Sequence, residues 1–147
     1  MKKYLVALFL LLCVQSSFSA PSYEYCKENV TFKTDTVTIG KCRIKVYVAE
    51  TPMQHLCGML GFKEDTFLNE GMLFKGSKEK VNYFHTQGMS INIRIMGVTK
   101  KKDKEYKVNN EAVYAPIGLK SITVYGDSVF ETTEKKYKSY LNKCLFE

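Results

Sequence analysis

Apolar and polar residues alternate along much of the chain, and the alternation marks out most of its elements. In residues 41–48, Cys42, Ile44, Val46 and Val48 share one face while Arg43, Lys45 and Tyr47 share the other, the period of a half-buried β-strand. Residues 90–98 repeat the pattern, with Ile91, Ile93 and Ile95 set against Asn92, Arg94 and Met96. Residues 30–32, 36–39, 71–74, 81–85, 111–115, 123–125 and 128–131 are shorter apolar or β-branched runs that predict further strands. Ile39-Gly40-Lys41 and Gly126-Asp127 supply turns, Asp127 serving its own turn, and residues 100–107 form a charged, solvated hairpin tip.

A helical period replaces the alternation in two places. Thr51 suits an N-cap and Pro52 a first helical position. The short helix they open sets Met53, Leu56, Cys57 and Leu60 on a buried face and His55 on the polar, solvated side, and Gly58 and Gly61 end it. Residues 133–145 predict a C-terminal amphipathic helix with Tyr137, Tyr140, Leu141 and Cys144 on one side. The expected fold class is therefore α+β, mainly β: a compact antiparallel β domain with one short internal helix and a short C-terminal helix.

The start of the chain carries a different signal. Lys2 and Lys3 precede an apolar stretch, residues 4–14, too short to span a bilayer stably, and residues 15–20 are small and polar around Phe18. This reads as a signal peptide cut after Ser19, which places Ser17 and Ser19 at the small-residue positions. Cys13 follows bulky Leu12, which disfavours a lipid-modified cysteine. The expected divisions are a signal peptide over 1–19, an N-terminal extension over 20–35, the β domain over 36–130 and a C-terminal helical extension over 131–147.

Export changes how composition is read. Removing residues 1–19 takes away two lysines and no acid, lowering the formal charge from +7 to +5. The remaining chain is long enough to bury one core. A secreted or periplasmic location makes nucleic acid an unexpected partner, while a mild basic excess suits anionic envelope surfaces. Abundant lysine with little arginine suggests a bacterial or phage envelope protein. No later segment predicts a transmembrane anchor.

Four cysteines, Cys26, Cys42, Cys57 and Cys144, survive the cleavage, and an exported chain with an even number predicts two disulfides with three possible connectivities. Periodicity turns both Cys42 and Cys57 inward, and Cys26 and Cys144 lie in polar segments at the two ends. The preferred pairing is thus Cys42–Cys57 with Cys26–Cys144. The alternative is that Cys42 and Cys57 are small buried residues.

Several of these segments, taken in order, resemble a known family. Glu50-Thr-Pro-Met-Gln-His-Leu-Cys-Gly-Met-Leu-Gly, Gly71-Met-Leu-Phe, Phe84-His-Thr-Gln-Gly-Met, the alternating strand over 91–98 and Tyr125-Gly-Asp-Ser-Val are similar in order and spacing to domain-of-unknown-function family 192. The similarity covers roughly residues 36–130. It implies a small, largely antiparallel β domain with one short helix after the second strand, and it brings no established activity. The family's usual proline and strand aspartate are replaced here by Asn92 and Arg94. A guanidinium neither accepts hydrogen bonds nor ligates metal, so any chemistry of that aspartate is not inherited.

Candidate chemistry centres on His85 and Thr86, as a general base or ligand beside a hydroxyl. The competing reading is a histidine satisfied by backbone where Gly88 turns the chain. A Cys57 nucleophile with His55 or His85 competes with disulfide formation. The histidines and cysteines lack paired metal-site spacing, and no phosphate loop, serine elbow or paired-carboxylate signature occurs, so neither metal nor cofactor is expected. Gly58, Gly61 and Gly71 either cradle a ligand or permit close packing, and Met59, Met72, Met89 and Met96 either line a groove or fill the core. Arg94 and the hairpin lysines Lys100, Lys101 and Lys102 are candidate binding residues for an envelope protein or an anionic envelope component. The expected function is an exported, non-catalytic binding or interaction domain. The alternatives are an envelope hydrolase or transferase using His85, or a small-molecule binder with a Met-lined groove.

Overall fold

Two strands joined by a tight turn begin the β structure: β1 (Lys33–Ile39) and β2 (Cys42–Ala49) pair antiparallel along their length, from Lys33 opposite Val48 to Ile39 opposite Cys42. Gly40 makes the turn at φ +61°, a left-handed conformation that glycine adopts without a Cβ penalty, and it lies against the Leu145 carbonyl with no room for a side chain. The computed structural model describes residues 19–76, 81–109 and 111–146. The expected signal segment and Cys13 lie outside the described residues, apart from Ser19.

A helix not predicted from sequence, α1 (Tyr23–Asn29), precedes β1 and is N-capped by Ser22, which accepts from the Tyr25 amide. The strand expected at 30–32 does not form: Val30 caps α1, its N–H donating to the Cys26 carbonyl, and Phe32 packs on Tyr47 and Phe62 with ring centres 6.4 and 5.9 Å away. After β2 comes α2 (Pro52–Cys57). Thr51 and Gln54 form a reciprocal capping box, and a 3-10 turn over Gly58–Gly61 follows. This crossover delivers β3 (Gly71–Phe74) parallel to β2, because a connection of that length can return to the end where β2 began.

The remaining strands are β4 (Val81–Phe84), β5 (Ile93–Lys102), β6 (Glu105–Val108), β7 (Val113–Ala115), β8 (Ile122–Tyr125) and β9 (Ser128–Thr133). β1, β2, β3, β9, β5 and β6 follow one another around a closed six-stranded barrel, shut by pairing of β6 with both β5 and β1; β7 adds to the edge of β5. The mainly β, α+β fold class is observed, but the sheet is mixed rather than antiparallel, since β2–β3 and β1–β6 are parallel. The charged hairpin is also tighter than expected. β5 and β6 run through Lys102 and from Glu105, leaving Asp103 and Lys104 as the turn.

The alternation sorts the apolar residues into two cores. Inside the barrel lie Val37, Ile39, Ile44, Val46, Val48, Leu73, Met96, Val98, Tyr106 and Phe130, closed at the end where β1 turns into β2 by Leu141 and Leu145 of the C-terminal helical segment. That segment comprises α3 (Glu134–Lys136), a π turn over Tyr137–Leu141 and α4 (Asn142–Leu145). Outside the barrel, a second core forms where α1, α2, the 3-10 turn and the two-stranded β4–β8 sheet cover Met72, Phe74, Ile93, Ile95 and Val129. The two-stranded sheet sits close because residue 97 is glycine: a Cβ there would overlap the backbone carbonyl of Tyr125.

The disulfides respect this division. They pair Cys26 with Cys57 and Cys42 with Cys144, with Cα–Cα distances of 5.5 and 5.1 Å. The preferred pairing of Cys42 with Cys57 is therefore wrong: both are buried, but Cys42 faces the barrel interior and Cys57 the outer core. The first bridge ties α1 to α2. The second ties the last helix across the end of the barrel.

Candidate functional site

A cavity of about 480 Å³ opens between the outer face of the barrel and its cover. One wall is α2 with the 3-10 turn, which presents His55, Met59 and Leu60; the other is β4 and the turn after it, with Tyr83, Phe84, His85 and Met89. Phe74 of β3 stands between them, its ring edge-on to Phe84 and to His55 at 5.3 and 5.6 Å. Volume and lining suit a small-molecule site, largely apolar with a few polar groups.

The polar floor is Glu131. It lies in β9 opposite Met72 of β3 and Ile95 of β5, on the same strand face as Val129, and is 4% exposed. Among the described residues no side chain neutralises it and no hydrogen bond reaches its carboxyl group. Burial without compensation pushes its pKa from 4.5 up to about 8, because removal from water disfavours the charged form. Near neutral pH it is therefore mostly a protonated acid facing an apolar chamber. It was not among the residues singled out from sequence.

Both histidines line the cavity; His55 is exposed, as expected for the polar side of its helix. His55 Nε2 lies 3.1 Å from the Ala49 carbonyl. His85 is exposed at the rim, and among the described residues its ring makes no hydrogen bond. The expected buried face of α2 is corrected: Cys57 and Leu60 are buried, whereas Met53 and Leu56 are 39% and 47% exposed. All four methionines are buried in the cores, and two of them, Met59 and Met89, also line the cavity.

Thr86 and Arg94 do not join His85. Thr86 is fully buried, and its hydroxyl donates to the Pro116 carbonyl at 2.5 Å while accepting from the Leu119 amide at 2.8 Å. A hydroxyl with both roles filled by backbone anchors a loop rather than attacking a substrate, so Thr86 is withdrawn as a catalytic candidate. Cys57, held in a disulfide, offers no thiolate to either histidine.

Arg94 is withdrawn as a binding residue. Its guanidinium forks onto Glu134, with Nε to Oε2 at 2.5 Å and Nη2 to Oε1 at 3.2 Å, and Nη1 donates to the Ala112 carbonyl. Tyr114 and Tyr137 flank it, with ring centres 5.2 and 4.9 Å away. The guanidinium's hydrogen bond, aided by Lys138, holds the Glu134 carboxyl below the usual range. Truncation by Arg94→Ala is expected to cost about 2 kcal/mol in urea unfolding, and Arg94→Lys, which keeps charge but not the fork, roughly half of that. Equal losses would mean that charge rather than geometry fixes this joint. Lys100, Lys101 and Lys102 stay exposed on the hairpin, away from the cavity.

No family model and no curated protein matches the chain. Two solved structures share its architecture. One is a protein of unknown function from Novosphingobium aromaticivorans DSM 12444, with a TM-score of 0.53, 18% identity and coverage of 77% of this chain and 88% of the other. The second, from Sinorhizobium meliloti 1021, is described as a "putative transcription regulator", with a TM-score of 0.50, 15% identity and coverage of 74% and 87%. At these identities the likeness is one of fold.

Proposed function

We propose that the protein is an exported, non-catalytic binding domain whose seat is the cavity between the barrel and its α2–β4 cover. The observation that carries the reading is a chamber of about 480 Å³ with aromatic and methionine walls and a single buried carboxyl group at its floor. The two side chains considered as partners of His85 in a hydrolase are engaged elsewhere, Cys57 in a disulfide and Thr86 with backbone groups. Export is supported by the N-terminal sequence and by two cysteine pairs at bonding distance. Membership of domain-of-unknown-function family 192 belongs to the same proposal. Its support is that three of the motif segments, 50–61, 71–74 and 84–89, contribute cavity-lining residues.

Thermal-shift screening of the oxidised protein against small amphipathic molecules tests the reading. A ligand at a hundred times its Kd adds about 2.7 kcal/mol, which raises the Tm of a domain this size by roughly 10 °C. Filling the chamber by Met89→Trp is expected to remove the shift. If no compound acted, and envelope-fraction binding vanished on changing Lys100, Lys101 and Lys102 to glutamate, the function would move to the hairpin.

A further inference from the structure

We infer that the cavity is built for a ligand that joins a positively charged ammonium head to an apolar body, with Glu131 as counter-ion; the inference rests on the cavity being the binding site. Glu131 is buried, lacks a partner among the described residues, and faces the chamber rather than solid core. A carboxyl group in that position has given up most of its hydration without a side-chain partner among the described residues, and an ammonium group would supply a charge-assisted hydrogen bond. The walls add to the same preference. Phe74, Phe84 and Tyr83 surround the space, and aromatic faces attract cations as they hold apolar chains. No lysine or arginine is among the described lining residues.

The titratable groups on the surrounding elements are His55 on α2, Tyr83 on β4 and His85 just beyond β4. The neighbouring strands β3 and β5 present Met72, Phe74, Ile93 and Ile95 to this outer core, and none of these titrates. Glu131 is thus the one described carboxyl group that a bound cation would meet. Because burial keeps it largely protonated near neutrality, taking up the cation would release a proton to solvent.

Three probes of one length, hexylamine, hexanol and hexanoate, are titrated into the oxidised full-length mature protein while the methyl signals of Met59 and Met89 are followed by NMR. At pH 8 hexylammonium is expected to bind at least tenfold more tightly than hexanol, with hexanoate weakest. Its Kd is expected to tighten about tenfold per pH unit from 6 towards 8, since the amine stays charged while Glu131 gives up its proton. Glu131→Gln is expected to erase the preference for the amine over hexanol. Hexanol or hexanoate binding as tightly as the amine to the unaltered protein would overturn the ammonium inference while keeping the cavity as a binding site. A preference that survived Glu131→Gln would do the same. If no probe moved either methyl signal, the cavity reading itself would fall along with the inference.

Discussion

Replacing the second bridge, as Cys42→Ser with Cys144→Ser, is expected to lower unfolding free energy by about 4–5 kcal/mol. The two residues are 102 apart in sequence, and closing a loop of that length removes much of the freedom of the unfolded chain. The native state loses as well. Cys144 holds the helical segment against the β1–β2 turn, where Lys41 N–H donates to the Cys144 carbonyl at 2.8 Å and the Cys42 sulfur lies 3.7 Å from the Leu141 carbonyl. Without the bridge, Leu141 and Leu145 are free to leave the open end of the barrel, which they otherwise close. The Cys26–Cys57 bridge spans 31 residues, so Cys26→Ser with Cys57→Ser is expected to cost less, about 3–4 kcal/mol. Urea unfolding of the two double variants under oxidising conditions checks both values. Equal stability of the Cys42/Cys144 variant and the unaltered protein would show that the helix seats itself by packing alone.

The way these bridges were misassigned says how much a sequence like this reveals. Period-two alternation locates β2 because it has one crowded and one open face, whereas the first part of β5 is covered on both faces and keeps only its isoleucine spacing as a signal. The same alternation identifies a residue as buried without saying in which core. A closed barrel with a covered flank has two interiors, so Cys42 and Cys57 look alike in sequence and are separated by the sheet in space. α1 left no amphipathic trace, since Cys26 is its one buried residue and the bridge, more than an apolar stripe, holds it down. The candidate site was legible only in part. His85 and the methionines drew notice, but the chamber is assembled from residues 52–60, 74, 82–89 and 131, and only the chain path unites them. Glu131 was the harder case. Every residue of β9 is buried, so no polar face marks which way its carboxyl group points. The one available signal was its place two residues after Val129, on the same side of the strand.

Between pH 5 and pH 8 the protein is expected to become less stable as pH rises, the reverse of the usual behaviour of a carboxylate. In the folded state the Glu131 carboxyl group titrates at about 8, while in the unfolded chain it returns to about 4.5. Within that window the folded state holds a proton that the unfolded state has released, so each rise in pH favours unfolding. Above about pH 8 both states are ionised and the loss is complete, on the order of 4 kcal/mol. Asp35, Glu50 and Glu134 act in the opposite direction. Hydrogen bonds from Lys104, Lys33 and Arg94 respectively hold them below their ordinary values, so their contributions are present above those values and fade only in acid. Together these groups put the maximum of stability near pH 5. Glu131→Gln keeps the shape of the side chain and cannot ionise. It is expected to flatten the decline and leave the variant several kcal/mol more stable than the unaltered protein at pH 8.5, with little difference at pH 5. Urea midpoints measured across this range decide the matter: parallel curves for the two proteins would mean that Glu131 is solvated in the folded state, which would remove its neutral form near neutral pH.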